Sequence, residues 1–397
     1  MPKSVLTGLE RLIHSKDIQS KYKGNIGLLC HSASVDSKLD HALIKFIEIF
    51  GERVKKVYGP QHGFVTDVQD NMIETDHFIH PFFKIPVYSL YSETRIPTDE
   101  MLENIDHLFI DLQDVGTRIY TYIYTMTHVL EACANKKIEV IVLDRPNPIN
   151  ANDIEGNILD TQFSSFVGRH PLPVRHALTI AEVALMHQSF WVDKRCNLSI
   201  IEMENYDRSM SFEDTKLPWV MPSPNLPTVD GCYTFVGTVL FEGTNISEGR
   251  GTTRALEIIG HPDIDPWTFQ EELDTLFQSL NLIGFKLRPI HFQPTFQKHA
   301  GISCGGFQIH VTDRKEFKPW KVAQILCREI YKKIQGNFEY KQDPYEYGEG
   351  MNPLDMINGT DKLRKWMESY GSISELEVIE TENQEDYIKN RETVIIY

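Results

Sequence analysis

The chain has 397 residues, 41% hydrophobic and 24% charged, the balance of a folded globular protein and not of a disordered one. That length exceeds what one ordinary core holds and predicts two domains. A formal net charge of -16 argues against sequence-independent nucleic-acid binding, which needs a basic face, and against docking on an anionic membrane.

At the N-terminus, Gly8, Glu10 and Arg11 interrupt the chain before an apolar run develops, so no signal peptide is expected. No stretch approaches the ~20 apolar residues that span a bilayer. Cys30, Cys133, Cys196, Cys232, Cys304 and Cys327 are scattered, with no pair at metal-ligand spacing. They read as reduced, buried thiols, and the expected localisation is cytoplasmic.

From residue 25 onward, short β-branched runs alternate with amphipathic stretches, the pattern of a parallel sheet wrapped by helices. Strands are predicted at 25–30, 53–58, 85–90, 107–112, 139–143 and 198–203, most of them nearly continuous apolar runs. Helices are predicted at 40–50, 119–135 and 180–192. The last opens on a capping box, Thr179 with Glu182 three residues on, which gives Glu182 a structural role. A second segment begins near 254–258, with a helix at 267–280, extended stretches at 285–292 and 306–312, a helix at 319–334 and a short helix at 360–369. A charged C-terminus follows. The predicted division is an α/β domain over 1–253 and a smaller α+β domain over 254–397, packed closely and walling a cleft.

The residues after the strands carry the first functional signal. The first strand ends at Cys30-His31-Ser32 and the second at Tyr58-Gly59-Pro60-Gln61-His62-Gly63. The fourth runs into Asp111-Leu112-Gln113-Asp114-Val115-Gly116-Thr117-Arg118, and the fifth into Asp144-Arg145-Pro146-Asn147-Pro148. Ligands of open parallel sheets bind outside the carboxyl ends of the strands. Turn formation explains one such polar cluster, but recurrence at four strand ends points to a site. His62, Asp111, Asp114, Arg118 and Asp144 are therefore expected in a common pocket, together with Glu248.

Two later loops add to this, 222–228 and 241–253. The second holds Glu242, Glu248 and Arg250 among three glycines. Glycines let backbone approach a ligand closely, and an arginine fork suits a carboxylate or phosphate. Glycoside cleavage usually needs two carboxyl groups, for which Glu242 and Glu248 are candidates. Tyr120, Tyr122 and Tyr124 offer ring faces to a sugar, or to the core. The phosphate-loop, G-x-G-x-x-G and H-E-x-x-H patterns are absent. Gly301-Ile302-Ser303-Cys304-Gly305 spells G-x-S-x-G, but a strand-like run follows the serine where a nucleophile elbow requires a helix.

Six motifs occur in order: Gly59-Pro60-Gln61-His62-Gly63, 111–126, 143–148, Arg175-His176-Ala177-Leu178-Thr179, 222–228 and 242–253. On these the chain resembles the exo-β-N-acetylmuramidase (NamZ-type) family, long carried as a domain of unknown function, from about Gly24 to the C-terminus. The resemblance implies a Rossmann-like N-terminal domain, a smaller C-terminal domain, and an exo-acting glycoside hydrolase. Its action would be release of N-acetylmuramic acid (MurNAc) from the non-reducing end of peptidoglycan fragments, with a cytoplasmic role in their recycling. No cofactor is implied, neither nucleotide nor catalytic metal, and the partner is a small MurNAc-containing glycan. The implied catalytic set is Gln61, His62, Asp111, Asp114, Glu242 and Glu248. Substrate contacts are expected from Arg118, Tyr120, Asp144, Arg145, Asn147, His176, Asn225, Asn245 and Arg250. Arg118, Arg145 and Arg250 are alternatives for the lactyl carboxylate.

One departure stands out, because the family pattern usually reads Gly-Pro-Glu-His-Gly and this chain has Gln61. An amide is no general acid at pH 7. Either Asp111, Asp114, Glu242 or Glu248 then carries proton transfer, or the chain is a muropeptide-binding protein with weak turnover. On the sequence both readings stay open.

Overall fold

The computed structural model describes residues 3–70, 72–342, 345–346 and 350–397. Seven short runs form its principal sheet: β1 (Ile26–Cys30), β2 (Val54–Gly59), β3 (Phe78–Ile79), β4 (Pro86–Ser89), β5 (His107–Asp111), β6 (Glu139–Leu143) and β7 (Asn197–Ile201). Their order is β3-β4-β2-β1-β5-β6-β7, parallel throughout except for β3 at the edge. β1 is buried at every position, and β5 and β6 at every position after the first. Alternate residues of the central strands feed two cores. Leu29, Leu108 and Ile110 join one, while Leu28, Cys30 and Phe109 join the other.

The chain leaves β1 toward β2 and later returns to the other side of β1 as β5. Strand order thus reverses between them, and at such a switch point neighbouring carboxyl ends open a crevice. Cys30 lies in register with Asp111, so the two connections depart side by side. Helices Ala42–Phe50, Tyr122–Cys133 and Ile180–Met186 cover the sheet. The Thr179–Glu182 capping box is formed as expected, and the predicted 180–192 helix finishes as a π turn over His187–Trp191.

The second segment contributes an antiparallel sheet in the order β8-β10-β9, from β8 (Ile258–His261), β9 (Phe285–Phe292) and β10 (Cys304–Val311). Helices Pro266–Ser279 and Pro319–Ile334 each begin with proline in the first turn, where its missing N–H costs nothing. One continuous cluster of buried side chains runs from Leu29 to Val394, so the two segments share a core. Ser303 is exposed and leads directly into β10, which removes any nucleophile elbow. No helix among the described residues is long and apolar enough to cross a membrane.

Helix Val229–Thr238 was not anticipated, since it carries Gly231 and Gly237 and several β-branched residues. Packing overrides that weak propensity. A Cβ on Gly237 would lie 2.2 Å from the carbonyl oxygen of Pro319, so glycine permits the close approach of helix Pro319–Ile334. The charged C-terminus is likewise helical, over Ile373–Thr381 and Gln384–Glu392.

Candidate active site

The site is built first from the chain leaving β2. A Cβ on Gly59 would lie 2.5 Å from the amide nitrogen of Phe64, because the next turn folds back over it. His62 and Gly63 both adopt left-handed backbone, with φ of 67° and 77°. For a histidine this is strained geometry of the kind retained at functional sites. His62 Nδ1 lies 2.9 Å from the carbonyl oxygen of Val68. A carbonyl only accepts, so Nδ1 donates and Nε2 keeps the lone pair of the neutral ring. Burial, with the nearby Arg250 charge adding to it, pushes this imidazole down to about 4.

Gln61, beside it, is buried, with both its amide oxygen and its amide nitrogen hydrogen-bonded. Thr121 Oγ1 donates to its Oε1 at 2.6 Å, and its Nε2 donates to Glu346 Oε1 at 3.1 Å. The other oxygen of Glu346 accepts from the Tyr91 hydroxyl at 2.8 Å. Burial pushes the Glu346 carboxyl above the ordinary range, the charge of Glu242 adds to the rise, and the Tyr91 and Gln61 donors oppose it.

Glu242 sits in the opposite environment. Its Oε1 accepts from Arg250 Nη2 at 2.5 Å and its Oε2 from the Tyr345 hydroxyl at 2.6 Å. Burial works to raise this carboxyl, but Arg250, Tyr345 and Lys298 outweigh it and hold it below the usual range. Arg250 Nε lies 3.0 Å from Glu248 Oε1, and Lys298 Nζ donates to Glu248 Oε2 at 2.7 Å. Charges therefore alternate along Glu242, Arg250, Glu248 and Lys298, which offsets the desolvation of each. Arg250 Nη1 is buried without a hydrogen-bond partner among the described residues. Tyr120 and Phe235 add ring surface, and the crevice is narrow, with a cavity volume of ≈ 50 Å³.

Of the predicted site residues, the crevice brings together Gln61, His62, Tyr120, Asn225, Glu242 and Arg250, with Glu248 behind Arg250. It does not gather the rest. Asp111 is held by a two-pronged Arg145 fork, at 2.6 Å from Nε and 2.8 Å from Nη2. Asp114 accepts from the Gly116 amide and the His176 ring. Arg118 spends its guanidinium on the carbonyls of Asn157, Leu172 and Asn358. Asp144 accepts from the hydroxyls of Thr179 and Tyr397, each at 2.8 Å. Asn147 closes its own turn onto the Ile149 amide, and Asn245 ties down Asn337 and Glu339. The single pocket expected from all strand ends is thus corrected: Asp111, Asp114, Arg118 and Asp144 bond to other groups of the protein, whereas Gln61 and His62 after β2 line the crevice together with Tyr120 and Thr121.

Tyr91, Thr121, Lys298, Tyr345 and Glu346 were not anticipated. The available signal was the long gap between the helices predicted at 319–334 and 360–369, since long stretches without periodicity are commonly functional loops. Among the described residues one group with metal-ligand character is present, Glu131, His170 and His187, whose ligand atoms lie within 4.8 Å of one another. Arg169 already pairs with both oxygens of Glu131 at 3.1 Å, and His187 Nε2 lies 3.0 Å from the same carboxylate. Its charge is spent within the protein.

Comparison with known proteins agrees with this architecture. The N-terminal profile of the exo-β-N-acetylmuramidase NamZ family matches residues 26–230, and the C-terminal profile matches 233–397. The chain is 38% identical over 395 residues to the peptidoglycan β-N-acetylmuramidase NamZ of Bacillus subtilis (strain 168), covering 99% of this chain and 91% of that one. Two solved structures of DUF1343 family proteins from Bacteroides fragilis NCTC 9343 share the fold. One superposes with a TM-score of 0.86 at 27% identity, covering 99% of each chain. The other has a TM-score of 0.76 at 25% identity, covering 100% of this chain and 99% of that one. The chain belongs to the exo-β-N-acetylmuramidase NamZ family.

Proposed function

We propose that the protein is an exo-acting glycoside hydrolase that releases N-acetylmuramic acid from the non-reducing end of peptidoglycan fragments. The observation that carries this reading is a pair of buried carboxyl groups in opposed surroundings within one crevice: Glu242 is bound by Arg250 and Tyr345, whereas Glu346 is held by Gln61 and Tyr91. Glycoside cleavage needs one carboxyl kept protonated and one kept ionised, and opposed environments are how a protein arranges that. Glu242, fixed as an anion by Arg250 and Tyr345, faces the positive charge that develops at the anomeric carbon. Tyr120 and Phe235 supply apolar faces for the sugar ring. The unspent Arg250 Nη1 is our candidate donor to the lactyl carboxylate. In this scheme residues 1–253 form the catalytic domain, and 254–397 complete the site through Lys298, Tyr345 and Glu346. The six unpaired cysteines support action in a reducing, cytoplasmic setting.

Incubation with MurNAc-GlcNAc, with chromatography for free MurNAc and calorimetry for binding, tests the reading. Release of MurNAc supports it. Binding without release selects the muropeptide-binding alternative, which Gln61 specifically favours. Neither binding nor release removes both.

A further inference from the structure

We propose that Glu346 is the residue that protonates the leaving oxygen, and that Gln61 is a positioning residue that aims Glu346 through a chain of hydrogen bonds from Thr121. The inference rests on the muramidase reading above and deepens it.

The geometry assigns direction to every link. Thr121 Oγ1 lies 2.6 Å from Gln61 Oε1 and donates to it, since an amide oxygen only accepts. The Gln61 Nε2 is thereby turned toward Glu346 Oε1 at 3.1 Å. Tyr91 donates to the remaining oxygen, Oε2, at 2.8 Å. Glu346 is thus gripped at both oxygens by neutral donors, with no cation hydrogen-bonded to it among the described residues; of the nearby charges, Glu242 favours its protonated form and Arg95 its ionised form. Glu242, in the same crevice, carries an arginine instead. A carboxyl held by neutral donors keeps its proton far more readily than one paired with a guanidinium.

Gln61 itself has no proton to give at neutral pH, but it fixes the orientation of a group that has. In the step proposed, the Glu346 proton passes to the glycosidic oxygen as the bond from the anomeric carbon to that oxygen breaks. The bonding electron pair leaves with the oxygen. Water then bonds to the anomeric carbon and sheds a proton to solvent, from which Glu346 is reprotonated.

The test uses two substrates of the full-length protein. MurNAc-GlcNAc has a sugar leaving group that needs a proton, whereas 4-nitrophenyl β-N-acetylmuraminide releases a stable phenolate that does not. Glu346→Gln is expected to lower kcat on the disaccharide about 10²–10⁴-fold and on the aryl glycoside less than about 10-fold. Gln61→Leu is expected to lower kcat on the disaccharide with KM little changed. It should also move the alkaline limb of the pH profile upward, because a donor to the Glu346 carboxylate has been removed; a merely structural Gln61 leaves that limb in place. Equal losses on both substrates in Glu346→Gln, or no loss on either, overturn the assignment while leaving the muramidase reading intact. A wild-type protein inert toward both substrates overturns the assignment together with that reading.

Discussion

Arg250 and Glu242 form a buried ion pair, with Nη2 2.5 Å from Oε1 and both side chains under a tenth exposed. The same guanidinium reaches Glu248 through Nε, so one arginine neutralises two buried carboxylates. The sequence alone presents Arg250 as a loop residue free to bind ligand. In the fold it is also the keystone of a charge network: among the described residues neither Nε nor Nη1 makes a hydrogen bond, and Nε lies within ion-pair distance of Glu248.

Arg250→Ala is therefore expected to destabilise the protein and not merely weaken substrate binding. Removing one partner of a buried pair typically costs about 3–5 kcal/mol, because the charge left behind stays desolvated. Denaturant unfolding at pH 7 measures the loss. A variant as stable as wild type would show that water enters the crevice and solvates Glu242 and Glu248.

The activity of the wild type is expected to fall at high pH through titration of Glu346. Burial holds this carboxyl above the ordinary glutamate range, and an acid catalyst works only while protonated. Activity is lost as pH rises through that raised value. The alkaline limb of kcat/KM measured on MurNAc-GlcNAc should be absent in Glu346→Gln. A limb that persists unchanged in the variant belongs to another group.

Much of the fold was legible, because β1, β5 and β6 are buried on both faces and so read as short unbroken apolar runs. The edge strand β3 was not, being two exposed residues that pair with β4. The site was legible where local chemistry is unusual: the left-handed His62-Gly63 turn and the glycine-rich loop around Glu242 and Arg250 both reach the crevice. Asp111 and Asp144 looked equally promising, but their partners Arg145, Thr179 and Tyr397 consume them. Glu346 was invisible for the converse reason. It is an ordinary glutamate in sequence; burial gives it its character, and the groups that hold it in place, Gln61 and Tyr91, lie 285 and 255 residues away.

Tyr345→Phe is expected to shift the acid limb of activity to higher pH. The tyrosine hydroxyl is one of the groups that hold Glu242 below the usual range, and Glu242 serves as an anion. Losing one hydrogen bond to a charged group costs about 1.5–3 kcal/mol of stabilisation of that charged form, or roughly one to two pH units. Arg250 remains, so turnover at pH 7 should be largely retained. An acid limb that does not move would mean that Glu242 is not the ionised partner.

The final expectation concerns stability and a residue outside the crevice. Asp144 is fully buried at the end of β6 and is pushed up to about 7, first by burial and next by the charge of Glu182. In the unfolded chain an aspartate titrates near about 3.9. Between these values the folded protein binds a proton that the unfolded chain has released. The resulting stabilisation is full below the unfolded value and is lost as pH rises through about 7. Asp144→Asn keeps the shape without the titration, and the Thr179 and Tyr397 hydroxyls that meet its oxygen can rotate to accept from the new amide. Urea unfolding at about pH 5 and about pH 8 should therefore show wild type losing more stability across the interval than the variant. If both lose the same amount, Asp144 stays ionised in the fold at both pH values, and the hydrogen bonds from Thr179, Tyr397 and the Ala181 amide are enough to hold its charge.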